Sequence, residues 1–419
     1  MFSVRRTILI HSALLLACLV LSLQTLSAAD DKPTTAERVE PNPDLVAVVA
    51  GNNAFALDMY SQLAAEENGN LFFSPGSLST ALAMTYAGAG GATESQMAQV
   101  LEFSLPQEKL HPAFAQWVNR LNRQDSKSGY RLNMANRLWG QQGFGFLPSF
   151  LDVTRENYGA ELAQVDFSTN PENARHRINS WIGEQTQGKI AELIPSGVLN
   201  TTTRLVLTNA IYFKGDWSTR FEKRLTKQAP FHISADETIK VPLMFQKGKF
   251  AYRQFNGVQA LELPYGNKDL AMLILLPDRG HELSALEQKL TAEKLADWIP
   301  RLRQREVRVR LPKFKLTAQF RLKDTLASMG MTDAFGSQAD FSGINGRHDL
   351  LLSAVIHQAF VEVNEEGTEA AAASGGAVQL KGVFPEPPLF RADHPFLFLI
   401  RDRRTGSILF LGRVLNPKQ

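Results

Sequence analysis

Two spacings of apolar residues alternate along the chain, one near 3.6 and one near 2, so both helices and strands are predicted. From Asp44, apolar positions recur through Phe55, Leu57, Tyr60 and Leu63 until Gly69, which predicts an opening helix. Asn70 to Met84 reads as a short strand running into a helix, with Ser74 as N-cap and Pro75 in the first turn. Leu78, Ala81, Leu82 and Thr85 then recur at helical spacing. The run Ile178-Asn179-Ser180-Trp181-Ile182 sits in an amphipathic helix closed by Gly188. Leu205 to Phe213 predicts a buried strand ended by Gly215, and Asn209 inside it needs hydrogen-bond partners. Leu270 to Leu276, stopped by Pro277, predicts a strand buried on both faces. Arg308 and Arg310 alternate with Val307, Val309 and Leu311, as in a half-buried strand. Phe396 to Ile400 and Ile408 to Leu411 form a hairpin too apolar to be exposed, hence central strands of a barrel-like sheet.

One stretch fits neither rhythm cleanly: Glu365 to Gly382, rich in alanine and glycine. At period two, Thr368, Ala370, Ala372, Ser374, Gly376, Val378 and Leu380 share a face. None is charged and the first five are small, while Glu369, Gln379 and Lys381 fall on the other face. That is the pattern of a strand with one buried and one wet side. Alanine and glycine are poor strand formers, and Gly375-Gly376 adds freedom. Two readings therefore stand: a segment able to become a strand, or a flexible surface linker.

Composition narrows the class. At 419 residues, 44% hydrophobic and 21% charged, the chain is globular. The net charge of +3 owes two units to Arg5 and Arg6, so nothing argues for a nucleic-acid partner. Those arginines precede an apolar run from Ile8 to Leu23 and a small-residue site, Ser27-Ala28-Ala29. Residues 1–29 read as a signal peptide, with Asp30 first in the mature chain. A membrane anchor fits less well, because His11 and serines interrupt the run. Leu15-Leu16-Ala17-Cys18 loosely resembles a lipoprotein box, although the apolar run continues past Cys18. Cys18 is the only cysteine, so cleavage after Ala29 leaves no disulfide and no thiol nucleophile. Export without disulfides points to a bacterial protein, secreted or periplasmic. Residues 30–44 are polar and proline-rich, a tether in expectation.

Catalytic patterns are missing. There is no HExxH, paired-cysteine motif, GxSxG or phosphate loop, and the eight histidines lack metal-ligand spacing. A dispersed Ser/His/Asp triad stays formally open, with nothing to support it. The expectation is no enzyme, no cofactor and no metal. Around Arg301 to Arg310 the chain is locally basic, and a solvated strand face explains this better than a polyanion site; Lys109, Arg120 and Arg123 are too sparse for heparin.

The stretch Val363-Asn364-Glu365-Glu366-Gly367-Thr368-Glu369-Ala370-Ala371-Ala372-Ala373 resembles the hinge of the serpin family of protease inhibitors. Phe390-Arg391-Ala392-Asp393-His394-Pro395-Phe396, Leu205 to Trp217 and Ala339-Asp340-Phe341-Ser342-Gly343-Ile344 resemble further signatures of that family. The resemblance implies an α+β fold with three β-sheets and eight or nine helices. It implies one domain, 45–417, with an exposed reactive loop at 365–388. It assigns Glu365, Gly367, Thr368, Glu369, Ala370, Ala371, Ala372 and Ala373 to the hinge. Ser74, Ser77, Asn209 and His357 match the shutter, where the central strands part, and Trp217 matches the breach, where the hinge enters. Counting fourteen positions beyond Gly367 places the reactive bond at Lys381–Gly382. The implied partner is a trypsin-like serine protease, or a chymotrypsin- or subtilisin-like one if Leu380 leads. The implied activity is suicide-substrate inhibition by a monomer. The alternative is a non-inhibitory carrier, chaperone or envelope scaffold, whose usual mark is a bulky, charged or proline-containing hinge.

Overall fold

The computed structural model describes residues 42–122, 129–368 and 386–419, without the side chain of Thr368. The expected signal peptide, Cys18 and the tether up to residue 41 lie outside the described residues. From the N-terminus the elements are α1 (Pro43–Glu66), β1 (Leu71–Phe73), α2 (Pro75–Tyr86), α3 (Gly91–Val100), α4 (Gln107–Asn122), β2 (Tyr130–Gln141), α5 (Pro148–Tyr158), β3 (Ala163–Val165) and α6 (Pro171–Gln185). The middle of the chain supplies β4 (Leu205–Asp216), β5 (Lys227–His232), β6 (Thr238–Phe255), β7 (Val258–Pro264), β8 (Leu270–Pro277), α7 (Leu283–Glu287) and α8 (Ala292–Arg301). Then come β9 (Arg303–Pro312), β10 (Phe314–Arg321), α9 (Lys323–Ser328), α10 (Ser342–Asn345), β11 (Ala354–Val363) and β12 (Gly367–Thr368). The chain closes with β13 (Leu389–Arg391), β14 (Phe396–Asp402) and β15 (Ile408–Val414).

Local chemistry starts the helices where the sequence suggested. Asn42 caps α1 by accepting from the Asp44 N–H at 3.0 Å, with Pro43 in the first turn. Ser74 caps α2 in the same way, accepting from the Ser77 N–H at 3.2 Å. Every residue of α2 is buried. This helix therefore lies inside the molecule, in contact with β2, β4 and β15.

Two hydrogen-bonded networks carry the strands. A six-stranded sheet runs β10-β11-β4-β2-β3, with β12 added against β4. A nine-stranded network runs β1-β15-β14-β8-β7-β6-β9-β13, with β5 added against β6. The three sheets implied by the resemblance appear as two networks because β6 is eighteen residues long. Its start pairs with β5, its middle with β9 and its end with β7, so one strand belongs to two layers. The described residues hold ten α-helices where eight or nine were expected.

The six-stranded sheet is covered on both sides, which is why its central strand β4 is buried at every position from Leu205 to Phe213. Along β4, Leu205, Leu207, Ile211 and Phe213 enter the main core. The intervening Val206 and Ala210 join a smaller cluster with Trp139, Ile178 and Ile182, beneath α6. Each large buried side chain there contributes about 1.5–3 kcal/mol. Strands β8, β14 and β15 are buried along their whole lengths, as the sequence implied.

Candidate functional site

The site is one end of the six-stranded sheet. Strands β4 and β11 run parallel and paired from Val206/Ala354 to Tyr212/Phe360. Beyond that point the pairing stops, although β4 continues to Asp216 and β11 to Val363. The chain then reverses over four residues: the Asn364 N–H donates to the Gly367 carbonyl at 2.9 Å, and the Gly367 N–H returns to Asn364 at 3.3 Å. Gly367 and Thr368 come back antiparallel against Asp216 and Gly215. The opposite edge of Gly215 already holds Tyr130 of β2. Thus β12 occupies the edge of β4 that faces β11, as the first rung of a strand between them.

Glycine is required at the reversal. Gly367 has φ +138°, and a Cβ there would lie 2.2 Å from the Gly215 carbonyl oxygen and 2.6 Å from the Asp216 Cα. Both the backbone region and the space exclude other residues.

The reversal is held by the segment after β4. The Trp217 N–H donates to the Glu366 carbonyl at 3.0 Å, and the Phe221 N–H to the Glu365 carbonyl at 2.9 Å. The Trp217 indole donates to the Asn364 carbonyl at 2.9 Å while stacking on Tyr265 with centroids 4.5 Å apart. Glu365 is buried and meets Lys313 at 2.9 Å and the Thr226 hydroxyl at 2.8 Å. Burial pushes its carboxyl up, but the bonds from Lys313 and Thr226 outweigh this and hold it below its ordinary value. Glu366 pairs with exposed Lys223 at 2.6 Å, a contact that solvent weakens.

Halfway down the sheet, Ser74, Ser77, Asn209 and His357 meet in one buried network. The His357 imidazole bonds the Asn209 side-chain oxygen through Nδ1 and accepts the Ser74 N–H at Nε2, 3.0 Å away. An accepting Nε2 fixes the neutral Nδ1–H tautomer. Burial alone lowers the His357 pKa to about 3. Asn209 donates to the Ser77 hydroxyl at 2.7 Å and the Ser77 carbonyl at 2.9 Å. Ser74 Oγ donates to the Leu409 carbonyl at 2.6 Å, reaching the other sheet. His357 and Asn209 stand opposite each other in the β11/β4 register, so their bond ties the two strands at mid-height. Any strand entering between β4 and β11 must break that tie.

A family model described as serpin (serine protease inhibitor) matches residues 50–417. The chain belongs to the serpin family. Among curated relatives, this serpin is 47% identical to a leukocyte elastase inhibitor of Bos taurus over 380 residues, covering 88% of this chain and 99% of that one. A leukocyte elastase inhibitor of Homo sapiens is 45% identical over 380 residues, with the same coverage. Among solved structures, uncleaved ovalbumin superposes with a TM-score of 0.80 at 31% identity, over 88% of this chain and all of that one. Serpin48 of the insect Tenebrio molitor gives 0.79 at 33% identity, over 90% and 99%.

In this serpin the residues from Glu369 to Ala373, together with Leu380, Lys381 and Gly382, lie outside the described residues. The sequence reading missed four members of the site. Asn136 receives the Ser77 hydroxyl at 3.2 Å and stands opposite Asn209 in the β2/β4 register. Lys313 and Thr226 hold Glu365, and Tyr265 supports Trp217. All four are joined to the site by register or long-range packing, and no local pattern marks them. Among the described residues, no helix is long and apolar enough to cross a membrane, and no cluster of three or more His, Cys, Asp or Glu could hold a metal.

Proposed function

We propose that this serpin is a suicide-substrate inhibitor of a trypsin-like serine protease, with Lys381–Gly382 as the bait bond. The observation that carries the reading is the rung already seated at the top of the sheet, Gly367–Thr368 against Asp216–Gly215. Serpin loop insertion is itself a standard example of strand addition, so the principle is taken over and not newly derived. The protease serine attacks the Lys381 carbonyl carbon, the bond to the Gly382 nitrogen breaks, and that nitrogen leaves as an amine with a proton from the enzyme's histidine. An ester between the enzyme and Lys381 remains. Insertion of the freed segment then carries the enzyme away before water can cleave the ester.

The register already present supports this. Continued beyond Thr368↔Gly215, it sets Ala370 opposite Phe213, Ala372 opposite Ile211, Ser374 opposite Asn209 and Gly376 opposite Leu207. Small residues thus meet the large side chains of the main-core face. Glu369 falls opposite Lys214 on the other face. Thr368 to Lys381 is fourteen residues, about 45 Å as a strand. Ladder bonds at about 1 kcal/mol each give on the order of 10 kcal/mol before ordering entropy is subtracted.

The relatives' names specify elastase, which is a property of those proteins; here Lys381 favours a target with an acidic specificity pocket. Mixing the protein with trypsin, and separately with elastase, before denaturing electrophoresis tests both points. The expected result is a detergent-stable adduct with trypsin and a released peptide beginning at Gly382. An adduct with elastase alone would remove Lys381 from the role while keeping inhibition. Clean cleavage that leaves free active protease in both tubes would remove inhibition and favour the carrier alternative.

A further inference from the structure

Strand β13 follows the reactive segment directly. It pairs in parallel with β9, setting Leu389 beside Arg308 and Arg391 beside Arg310. Strand β9 pairs with β6 so that Arg308 faces Lys247, Glu306 faces Lys249 and Arg310 faces Phe245. Residues opposed in register share a face. One side of this three-stranded patch therefore collects Lys247, Lys249, Arg308, Arg310, Arg391 and Leu389, with Glu306 and Phe245 among them. The intervening Val307, Val309 and Phe390 are buried on the other side.

The cations are not all neutralised. Arg308 meets Glu386 at 2.9 Å, Lys247 meets Glu306 at 3.3 Å and Arg391 meets buried Asp393 at 2.6 Å. Arg310 lies over the Phe245 ring at 4.9 Å, and among the described residues neither it nor Lys249 has a carboxylate partner within salt-bridge distance. Leu389 is 39% exposed, although large apolar side chains are otherwise almost all covered. An exposed leucine rimmed by arginine and lysine has the composition of a protein-binding surface.

Reach decides what can lie on it. Leu389 lies seven positions beyond Gly382, about 25 Å at full extension. A protease domain of roughly 220 residues is about 45 Å across. An enzyme gripping Lys381–Gly382 is wider than that reach and can lie over this patch.

We propose that the β6–β9–β13 face is a second contact surface for the target protease, selecting enzymes that carry acidic residues beside the substrate cleft. The proposal rests on Lys381–Gly382 being the bait bond. Charge at such a rim acts mainly on the rate of encounter and is weakened by salt.

Anionic and cationic trypsin share a preference for lysine and differ in surface charge, so they make the test pair. The wild-type protein should form adducts faster with anionic trypsin at low salt, and the difference should shrink at high salt. The double variant Lys249→Glu, Arg310→Glu should slow adduct formation with anionic trypsin by about tenfold or more. It should leave the melting temperature and the number of inhibitor molecules consumed per enzyme unchanged. Adducts formed at parental rates and with the parental salt dependence would overturn the surface while leaving the bait bond intact. No adduct with either trypsin would overturn the bait bond and the surface with it.

Discussion

Thr368→Arg is expected to yield a folded protein that trypsin cuts but that no longer traps trypsin. The backbone of Thr368 lies opposite Gly215, whose own neighbours are Phe213 and Tyr265. Inserted there, the arginine side chain shares the main-core face with Phe213 and finds no carboxylate in that register. Burying an unpaired guanidinium costs several kcal/mol, so in the variant the rung that Thr368 forms in the intact molecule is left unseated and has to be seated during insertion. Insertion races against hydrolysis of the ester, and about 3 kcal/mol on its barrier slows it more than a hundredfold. Hydrolysis then wins. The adduct band should vanish and each trypsin should consume many inhibitor molecules, read by titrating activity. A Thr368→Arg protein that still forms the adduct one-to-one would show that trapping does not depend on burying this rung.

Mild acid should weaken the fold through two histidines. Burial lowers His357 to about 3 and His111 to about 4. His111 is enclosed between helices and bonds the Tyr158 hydroxyl at 2.6 Å. In the unfolded chain both take up protons near pH 6.5, whereas the folded chain does not until far lower. Unfolding therefore binds protons in this window, and stability falls as pH drops below 6.5. At about 1.4 kcal/mol per unit for each group, the loss by pH 5 is about 4 kcal/mol. Glu365, held below its ordinary value, contributes loss only at lower pH. Asp58 and Glu102, raised by burial, act in the opposite sense as they take up protons. Denaturant midpoints at pH 7 and pH 5 measure the effect, and His357→Gln should remove about half of the dependence. Equal midpoints at the two pH values would contradict the buried neutral state.

Much of this molecule was legible because its key residues advertise themselves locally. Strand β8, β14 from Phe396 to Ile400 and β15 from Ile408 to Leu411 are apolar at every position, which only a doubly covered strand tolerates. Ser74 and Asn209 stood out as polar residues at a helix start and inside an apolar strand, and both are bonded where the pattern required. Gly367 was legible as a hinge glycine, and its φ and the crowding by Gly215 supply the cause. What escaped depends on pairing between distant strands. The length of β6 was hidden because Pro242 and Gly248 interrupt its apolar run, while β5 bridges across the first position and β9 across the second. Asn136 becomes visible only once β2 is set in register against β4. The Lys313–Glu365 contact joins the start of β10 to the turn after β11, a neighbourhood that exists only after the sheet has formed.

A melting curve of the nicked molecule bears most directly on whether residues 368 to 380 become a strand of the main sheet. After a single cut at Lys381–Gly382 by a protease that is then removed, about 10 kcal/mol of new pairing should raise the melting temperature by roughly 10 °C or more. A nicked protein that melts at or below the temperature of the intact one, with the segment still open to digestion, would contradict the account.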